Sequence, residues 1–434
     1  MRIRTFCNPN LSEVQMLLQR ENDDTQNVES LVATILAEVK QQGDCALREY
    51  TKCFDKAEIS VLEVSQSEID AARKETDEEF IAILQEAKEN IWKFHAKQKR
   101  EGFEIRETKG IVLGQKVTPL EKVGIYVPGG TASYPSTVLM NAIPAKIAGV
   151  EEIIMVTPPN SDGSIASDIL VAAHLAGVDR IFKVGGAQAV AALAYGTETI
   201  HKVDKIVGPG NIFVATAKRM VYGLVDIDMI AGPSEILVIA DESANPRHIA
   251  MDMLSQAEHD KLAAAFLVTT SEAFANKVES FLQEFVEKLP RCEIAKVAIE
   301  NNSAIIVTDT LENAVSISNL IAPEHLEVCV DEPFALLPII KHAGSIFLGK
   351  YAPEALGDYF AGPNHTLPTS GTARFSSPLS VDDYMKKSSF VYYEKKELEK
   401  VYKKIDKFAR REGLDAHANS ISIRFEEAGE AGAV

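Results

Sequence analysis

The chain has 434 residues, of which 46% are hydrophobic and 25% charged, so it is long enough to fold around two or more cores. Its formal net charge of −18 argues against a surface for nucleic acid or anionic membranes, because phosphate binding needs clustered lysine and arginine. The N-terminus lacks the pattern of a secretory signal and no run of about 18 apolar residues occurs, which predicts a cytoplasmic protein without membrane spans. Five scattered cysteines predict reduced thiols rather than disulfides.

The first part of the chain has a helical pattern from residue 27 to about residue 100, interrupted at Gly43 and by the β-prone stretch EISVLEV. Ser65 and Glu68 then form the S-x-x-E pattern of a capping box, which marks the start of a helix. Apolar residues repeat at helical spacing beyond this box. This part of the chain is therefore predicted to be mainly helical.

From residue 123 onward short apolar runs alternate with helix-like stretches, which is typical of βαβ units in a parallel sheet. The runs are KVGIYV, EEIIMV, RIFKV and KIV. The loops after them are rich in Gly and Pro, and in doubly wound sheets such loops receive ligands beyond the carboxyl ends of the strands. The GxGxxG fingerprint is missing, so the loops alone fit either a nucleotide site or tight turns that need glycine for steric reasons.

A second series of strands begins at residue 235, and a helical segment closes the chain. The strands are EILVIA, AAAFLVTT, SAIIVTD and SIFLG. Two such series predict two sheet domains with a cleft between them. In the final helical segment one apolar stripe ends at Gly413, which fits a C′ position, and a stripe of this kind usually packs on a partner or a neighbouring domain. Its residues are Leu398, Val401, Tyr402, Ile405, Phe408 and Ala409.

Gln256 and His259 lie in a helix predicted to open with Asn245 as its N-cap and Pro246 at its first position. The two side chains share one face, because three residues turn a helix through about 300°. Histidine is a common metal ligand, whereas glutamine is an unusual one. The pair fits either a polar, solvated helix end or half of a metal site.

Three further stretches carry polar residues that fit chemistry. Asp358 lies in LGDYFAGPNH, and Glu412 and His417 lie in REGLDAHANS; each stretch fits a loop or cap as well as a ligand site. In IAPEHLEV the adjacent Glu324 and His325 follow a proline between an apolar helix and an apolar strand. They form either an exposed connection or a pair of general bases of different strength.

Taken in order, eight motifs resemble the histidinol dehydrogenase family, whose zinc- and NAD-dependent enzymes complete histidine biosynthesis. They are VGIYVPGGTASYPS, VGGAQAVAALAYGT, VGPGN, IAGPSEILV, LSQAEHD, APEHLE, GDYFAGPNHTLPTSGTARF and EGLDAHANS. The resemblance implies an α/β fold of two Rossmann-like, doubly wound sheet domains with small helical extensions at both ends and a dimer-forming arm. The expected divisions are a helical extension over 1–20, a first α/β domain over 21–125 with 236–378, a second over 126–235, and the arm over 379–434.

The resemblance also implies the site residues. The first domain is expected to carry the zinc ligands and the catalytic pair, and the second to contact NAD. One zinc ion per subunit is expected on Gln256, His259, Asp358 and His417, the last reaching the site of the neighbouring subunit in a homodimer with shared sites. NAD is expected to contact Tyr126, Gln188 and Asn211. L-histidinol is expected to contact Ser234, Gln256, His259, His325, Asp358, Glu412 and His417.

In the chemistry that the resemblance implies, His325 removes the hydroxyl proton of histidinol while a hydride leaves for NAD. Glu324 then activates water, and the resulting gem-diol is oxidised in the same way to histidine. The alternative is a related zinc- and NAD-dependent dehydrogenase of another small alcohol. The carboxylate of Glu412 suits a cationic substrate such as histidinol and is not expected in a relative that oxidises an anionic alcohol.

Three other classes of protein fit less well. A cysteine-dependent aldehyde dehydrogenase needs a reactive thiol, but Cys329 lies in an apolar strand. A zinc hydrolase leaves the Gly-rich loops without a role. A non-catalytic binding protein has no need of Glu324 and His325 together.

Overall fold

The structure is a computed structural model that describes residues 3–10, 12–14, 25–129 and 133–426. The chain divides into two compact units. The larger unit comprises Met1–Lys99 and Pro119–Tyr384, and the smaller unit comprises Arg100–Thr118 and Met385–Val434. Within the described ranges, no helix combines the length and the apolar character needed to cross a membrane.

The strands and helices follow the predicted alternation. The strands are β1 Arg4–Cys7, β2 Phe103–Ile105, β3 Ile111–Pro119, β4 Lys122–Tyr126, β5 Glu152–Thr157, β6 Arg180–Lys183, β7 Lys205–Val207, β8 Asp226–Ile227, β9 Glu235–Ala240, β10 Ala264–Thr269, β11 Ala304–Val307, β12 His325–Cys329, β13 Ser345–Leu348 and β14 Met385–Tyr393. The helices are α1 Thr25–Gln42, α2 Asp44–Phe54, α3 Gln66–Glu75, α4 Glu78–His95, α5 Pro135–Ala148, α6 Ser167–Ala176, α7 Gly186–Tyr195, α8 Ile212–Val221, α9 Pro246–Ala257, α10 Glu272–Val286, α11 Cys292–Asn302, α12 Leu311–Ile321, α13 Pro333–Leu336, α14 Glu354–Leu356, α15 Lys395–Glu399, α16 Tyr402–Arg411 and α17 Asp415–Ser422.

A six-stranded parallel sheet has the strand order β1-β11-β10-β9-β12-β13. Its four inner strands are buried on both faces: alternate residues such as Val238 pack against α9, α10 and α11, and the intervening ones such as Ile239 pack against α12. From β9 the chain moves one way through β10 and β11, and β12 and β13 lie on the other side. The topological switch point therefore lies between β9 and β12.

A five-stranded parallel sheet has the order β6-β5-β4-β7-β8, with its switch point between β4 and β7. One face packs against α1, α2, α7 and α8. On the other side α5 packs on β4 and on α6, and α3 and α4 pack on those helices. The predicted α/β fold with two doubly wound sheets is thereby confirmed.

The packing of the N-terminal region differs from the predicted domain grouping. Residues 25–95 cover the five-stranded sheet and its helices, whereas residues 21–125 were expected to join the domain of the six-stranded sheet. β4 also belongs to the five-stranded sheet, although the expected boundary falls at residue 125. Periodicity identifies a helix and its buried face but does not say which sheet covers that face, so this grouping could not be derived from the pattern.

The expected helical extension over 1–20 is also only partly helical. β1 pairs with β11 as the edge strand of the six-stranded sheet, and residues 12–14 are helical. Residues 1–2, 11 and 15–20 lie outside the described residues. The alternating pattern of β1 is only four residues long, which is too short to stand out in a sequence window.

The smaller unit contains a three-stranded sheet of order β14-β3-β2 and the helices α15, α16 and α17. The predicted C-terminal helix is interrupted at residues 400–401, between α15 and α16. Gly413 follows α16 with a φ of 75°, and Leu414 N–H donates to the Ala409 carbonyl oxygen at 2.9 Å, as expected for a glycine at C′. Residues 427–434 of the expected arm lie outside the described residues.

Candidate active site

Glu324 and His325 lie at the amino edge of the six-stranded sheet, at its switch point. His325 is the first residue of β12 and pairs with Ile236 near the start of β9. The sequence pattern had suggested ligand sites at carboxyl edges. The amino edge can also assemble a site, because crossover helices run antiparallel to their strands and bring their C-terminal ends to it.

The His325 ring is 4% exposed and faces different partners through its two nitrogens. Its Nδ1 lies 3.2 Å from the carbonyl oxygen of Glu235, to which an Nδ1–H donates, and 3.2 Å from the side-chain nitrogen of Gln256. This contact leaves Nε2 to accept a proton in the neutral ring. Nε2 lies 3.4 Å from Asp358 Oδ1.

The pKa of His325 is raised well above its ordinary value. Burial acts to lower it, but the negative charges of Glu354, Glu324 and Asp358 outweigh burial. A ring surrounded by carboxylates is well suited to take up a proton and hold it.

Glu324 is 8% exposed, and its Oε2 accepts a hydrogen bond from the backbone N–H of Glu235 at 2.9 Å. Burial raises the pKa of Glu324 to about 8, against the opposing effect of His325. The two residues therefore form a buried acid–base pair held by the start of β9, rather than an exposed connection.

Gln256 lies near the C-terminal end of α9, which begins at the predicted cap: the Asn245 side chain accepts from Arg247 N–H, and Pro246 is the first helical residue. Gln256 is fully buried, and its Oε1 has no hydrogen-bond partner among the described residues. A buried amide oxygen without a partner is costly unless a ligand or ion accepts its lone pairs.

His259 follows α9 as an exposed residue, with its backbone N–H donating to the Gln256 carbonyl oxygen at 3.2 Å. Although His259 reaches the surface, the protein atoms around its ring lower its pKa by desolvation, while the charge of Asp358 acts to raise it. His259 and Asp358 therefore lie within electrostatic reach of each other.

Asp358 belongs to a short π-helical segment, Gly357–Ala361, that continues α14. One ligand atom each of His325, Glu354 and Asp358 lies within 4.8 Å of the other two, a grouping that could hold a metal ion. Among these three, only Asp358 is an expected zinc ligand. π-Helical turns are rare and occur frequently at functional sites.

Glu354 and His365 were missed in the sequence. Glu354 is 4% exposed, and burial raises its pKa to about 7. His365 Nδ1 lies 2.9 Å from the carbonyl oxygen of Asp358, so it fixes the backbone of that segment. The available signal was the spacing of four between Glu354 and Asp358 after Pro353, which places both carboxyl groups on one helical face.

The three residues expected to contact NAD lie at the carboxyl edge of the five-stranded sheet, around its switch point. Tyr126 ends β4 and is 4% exposed; its hydroxyl accepts from Gly186 N–H at 3.0 Å, and burial raises the pKa of Tyr126 to about 12. Gln188 is buried in α7, and its Oε1 has no partner among the described residues. Asn211 follows β7 and caps α8 by accepting from Phe213 N–H at 3.1 Å.

The remaining expected substrate contacts lie apart in the sequence. Ser234 directly precedes β9, and its carbonyl oxygen accepts from Ala264 N–H at 3.0 Å. Glu412 and His417 belong to the smaller unit, where Glu412 ends α16 and His417 lies in α17; both are exposed. Of the expected site residues, the structure thus brings Glu324, His325, Gln256 and Asp358 into one cluster.

Comparison with known proteins gives matches along nearly the whole chain. The family model for histidinol dehydrogenase matches residues 18–425. The histidinol dehydrogenase of Clostridium acetobutylicum is 59% identical over 411 residues, which is 95% of each chain. The chain belongs to the histidinol dehydrogenase family. The histidinol dehydrogenase of Syntrophotalea carbinolica is 57% identical over 413 residues, covering 95% of this chain and 96% of that one.

The crystal structure of histidinol dehydrogenase from Elizabethkingia anophelis has the same fold, with a TM-score of 0.92, 43% identity and 98% coverage of both chains. Membership of the histidinol dehydrogenase family confirms the predicted function and makes the chain an oxidoreductase of histidine biosynthesis that acts on a small molecule. The roles of individual residues, zinc, NAD and the shared dimer site stay predictions.

Proposed function

We propose that the protein oxidises L-histidinol through L-histidinal to L-histidine, using two NAD molecules and one zinc ion per subunit. The observation that carries this proposal is the buried cluster in which the side-chain nitrogen of Gln256 contacts Glu324 and His325 while its Oε1 has no partner among the described residues. An acid–base pair next to a free ligand atom suits proton removal from a substrate held by a metal.

The donor set fits zinc. Gln256 Oε1, the His259 ring, the Asp358 carboxylate and His417 of the partner subunit would hold the ion, a set of nitrogen and oxygen ligands without thiolate. Bound zinc supplies a Lewis acid that orients the amine and imidazole nitrogens of the substrate. Gln256 Oε1 supports this assignment because it is buried and has no hydrogen-bond partner among the described residues.

The dinucleotide would bind at the carboxyl edge of the five-stranded sheet, near Tyr126, Gln188 and Asn211. Ligands of doubly wound sheets bind at such switch points, and the buried Oε1 of Gln188 is available to accept a hydrogen bond. Bound there, NAD would supply the hydride acceptor for each oxidation.

The proton chemistry belongs to the buried pair. His325 takes the hydroxyl proton on Nε2 in the first oxidation, and the surrounding carboxylates stabilise the resulting cation. Glu324 removes a proton from the water that adds to the aldehyde carbon, while the His325 cation returns its proton to the former carbonyl oxygen; this gives a gem-diol and leaves the His325 ring neutral again. His325 then takes the gem-diol hydroxyl proton in the second oxidation, leaving the carboxylic acid.

The expected homodimer with shared sites is part of this proposal. Phe408 and Ile405 on the apolar stripe of α16 are 68% and 41% exposed in the single chain, as expected of a helix that packs on a partner. His417, in the next helix, is exposed and free to serve the site of a neighbouring subunit.

The zinc assignment is tested with Gln256→Ala. We expect the variant to lose bound zinc and histidinol-dependent NAD reduction together, because a ligand to the ion is removed. Zinc per subunit is measured by elemental analysis and activity by NADH formation, which should reach two NADH per histidine in the wild type. Ser255→Ala, one residue earlier in α9, is the matched control and should keep both. Full zinc occupancy in folded Gln256→Ala would remove Gln256 from the ligand set.

A further inference from the structure

A buried ion pair joins α8 to the segment after β8. The side chains of Lys218 and Asp228 are 2% and 1% exposed, and the Lys218 ammonium group contacts Asp228 Oδ1 directly. Taking both charges out of water is costly, and apolar residues of similar volume are often equally stable in such a place. A role in stability alone therefore explains this pair poorly.

The pair holds one peptide unit from two sides. Lys218 Nζ donates to the carbonyl oxygen of Gly208 at 2.9 Å, and Asp228 Oδ2 accepts from Gly208 N–H at 2.7 Å. Gly208 directly follows β7, where the ladder hydrogen bonds to β4 end. Without Lys218 and Asp228, both backbone groups of Gly208 would lose these bonds in a buried place.

Gly208 lies at the switch point of the five-stranded sheet. Its φ is 106°, and a Cβ at this position would lie 2.1 Å from the carbonyl oxygen of Tyr126, so the backbone runs tightly against the end of β4. The loop 208–211 continues from Gly208 to Asn211, the cap of α8. The ion pair thus fixes the start of a loop that begins beside Tyr126 and ends at Asn211.

Asp228 also belongs to the segment that leads towards Ser234. Its Oδ1 accepts from Met229 N–H at 2.6 Å, and this segment continues to Gly232, whose N–H donates to Thr369 Oγ1 at 2.6 Å. One carboxylate therefore orders the loop 208–211 and the beginning of the segment that ends in Ser234.

We propose that Lys218 and Asp228 are positioning residues that hold the loop 208–211 in the conformation that binds the nicotinamide dinucleotide. The inference rests on the proposed function, because it presumes that this loop receives NAD. Neither side chain needs to touch the dinucleotide: both act through the backbone of Gly208. A loop displaced by about 1 Å is enough to cost a large factor in a precisely oriented complex.

The test is a double variant, Lys218→Met with Asp228→Leu, which removes both charges and keeps the volume. We expect the dissociation constant of NAD to rise roughly 10- to 100-fold, while zinc content changes less than about twofold. Lys205→Met is the matched control: Lys205 is also buried, on β7, but it pairs with Asp226 and Asp383 and should leave NAD binding unchanged.

The outcomes separate the inference from the proposed function. Wild-type protein that does not bind NAD overturns the proposed function, and this measurement comes first. If the wild type binds NAD and the folded double variant binds it with the same dissociation constant, the inference is overturned. A merely structural role would lower the melting temperature without a selective change in NAD affinity. If the double variant does not fold, Lys218→Met alone, which removes the donor to the Gly208 carbonyl oxygen, is expected to weaken NAD binding and decides by the same measurement.

Discussion

Glu324 and His325 are adjacent in the chain but have different surroundings, and this difference predicts different effects on the two oxidations. Glu324→Gln should slow histidinal oxidation by roughly 10²- to 10⁴-fold and histidinol oxidation by less than about tenfold, because only the aldehyde step needs activated water. His325→Asn should slow both steps by roughly 10²-fold or more, because each needs a proton acceptor. Single-turnover rates with histidinol and with histidinal measure the two steps; equal losses in Glu324→Gln would contradict this division of roles.

A second prediction concerns Asp55, the residue that ends α2. Its Oδ2 is buried without a hydrogen-bond partner among the described residues, and burial raises the pKa of Asp55 from 3.8 to about 6. The folded state therefore holds more protons than the unfolded state between these values, so stability falls as pH rises through that window.

Asp55→Asn removes this loss, and we expect the variant to exceed the wild type in stability by about 1 kcal/mol at pH 8, a value discounted because the side chain is partly exposed. Below about pH 3 the difference should disappear, since the wild-type carboxyl is then mostly protonated in both states. Urea unfolding at the two pH values gives both free energies. A stability difference that is the same at both pH values would show that the carboxyl charge is not its cause.

Glu324, His325 and Gln256 could be selected from the sequence only because their motifs resemble those of a known family, since the local pattern alone also fits an exposed connection and a solvated helix end. Glu354 and His365 could not, because their positions depend on how the chain folds around the π-helical segment Gly357–Ala361, which Glu354 precedes and His365 follows, about 30 to 40 residues after β12 begins. Burial raises the pKa of Glu354, and no local pattern reports which carboxyl groups a fold will bury.

Single elements were predicted well where local chemistry defines them. The capping box of Ser65 and Glu68 is present, with both reciprocal contacts, and Asn245 and Pro246 begin α9. These patterns involve backbone groups within four residues, so the rest of the fold has little influence on them. The position of Glu324 and His325 at the amino edge depends on the order of the strands in the sheet, which local sequence patterns do not determine.

The end of β7 gives a prediction at the scale of an element. Gly208→Ala should destabilise the protein by about 2–4 kcal/mol, because the added Cβ meets the Tyr126 carbonyl oxygen and the positive φ disfavours alanine. Gly223→Ala is the matched control, since Gly223 also has a positive φ, 97°, but no atom lies within 4 Å of a Cβ there; it should cost about 1 kcal/mol. Urea unfolding measures the loss of stability in both variants. Equal losses would contradict the close contact predicted between the added Cβ and the Tyr126 carbonyl oxygen.

At the scale of the whole molecule, the proposed shared site predicts complementation between two inactive variants. His417→Ala and Glu324→Gln homodimers should each be defective, yet their heterodimer has one site built from intact parts and one site with both changes. Random mixing makes about half of the dimers heterodimers, so refolding the two together should restore roughly a quarter of wild-type activity. Activity no higher than the mean of the two variants, with heterodimers present, would show that each site lies within one chain.

The segment between the two sheets limits how far apart their edges can lie. Residues 228–234 lead from the end of β8 to the start of β9, and seven extended residues reach about 25 Å at most. The carboxyl edge of one sheet is thereby tethered to the amino edge of the other. If NAD binds at the first edge as proposed, the tether would give it a high effective concentration near His325, the proposed proton acceptor at the second edge. A flexible insertion in this tether would leave both sheets intact but would lower the effective concentration of the bound dinucleotide at the proton acceptor.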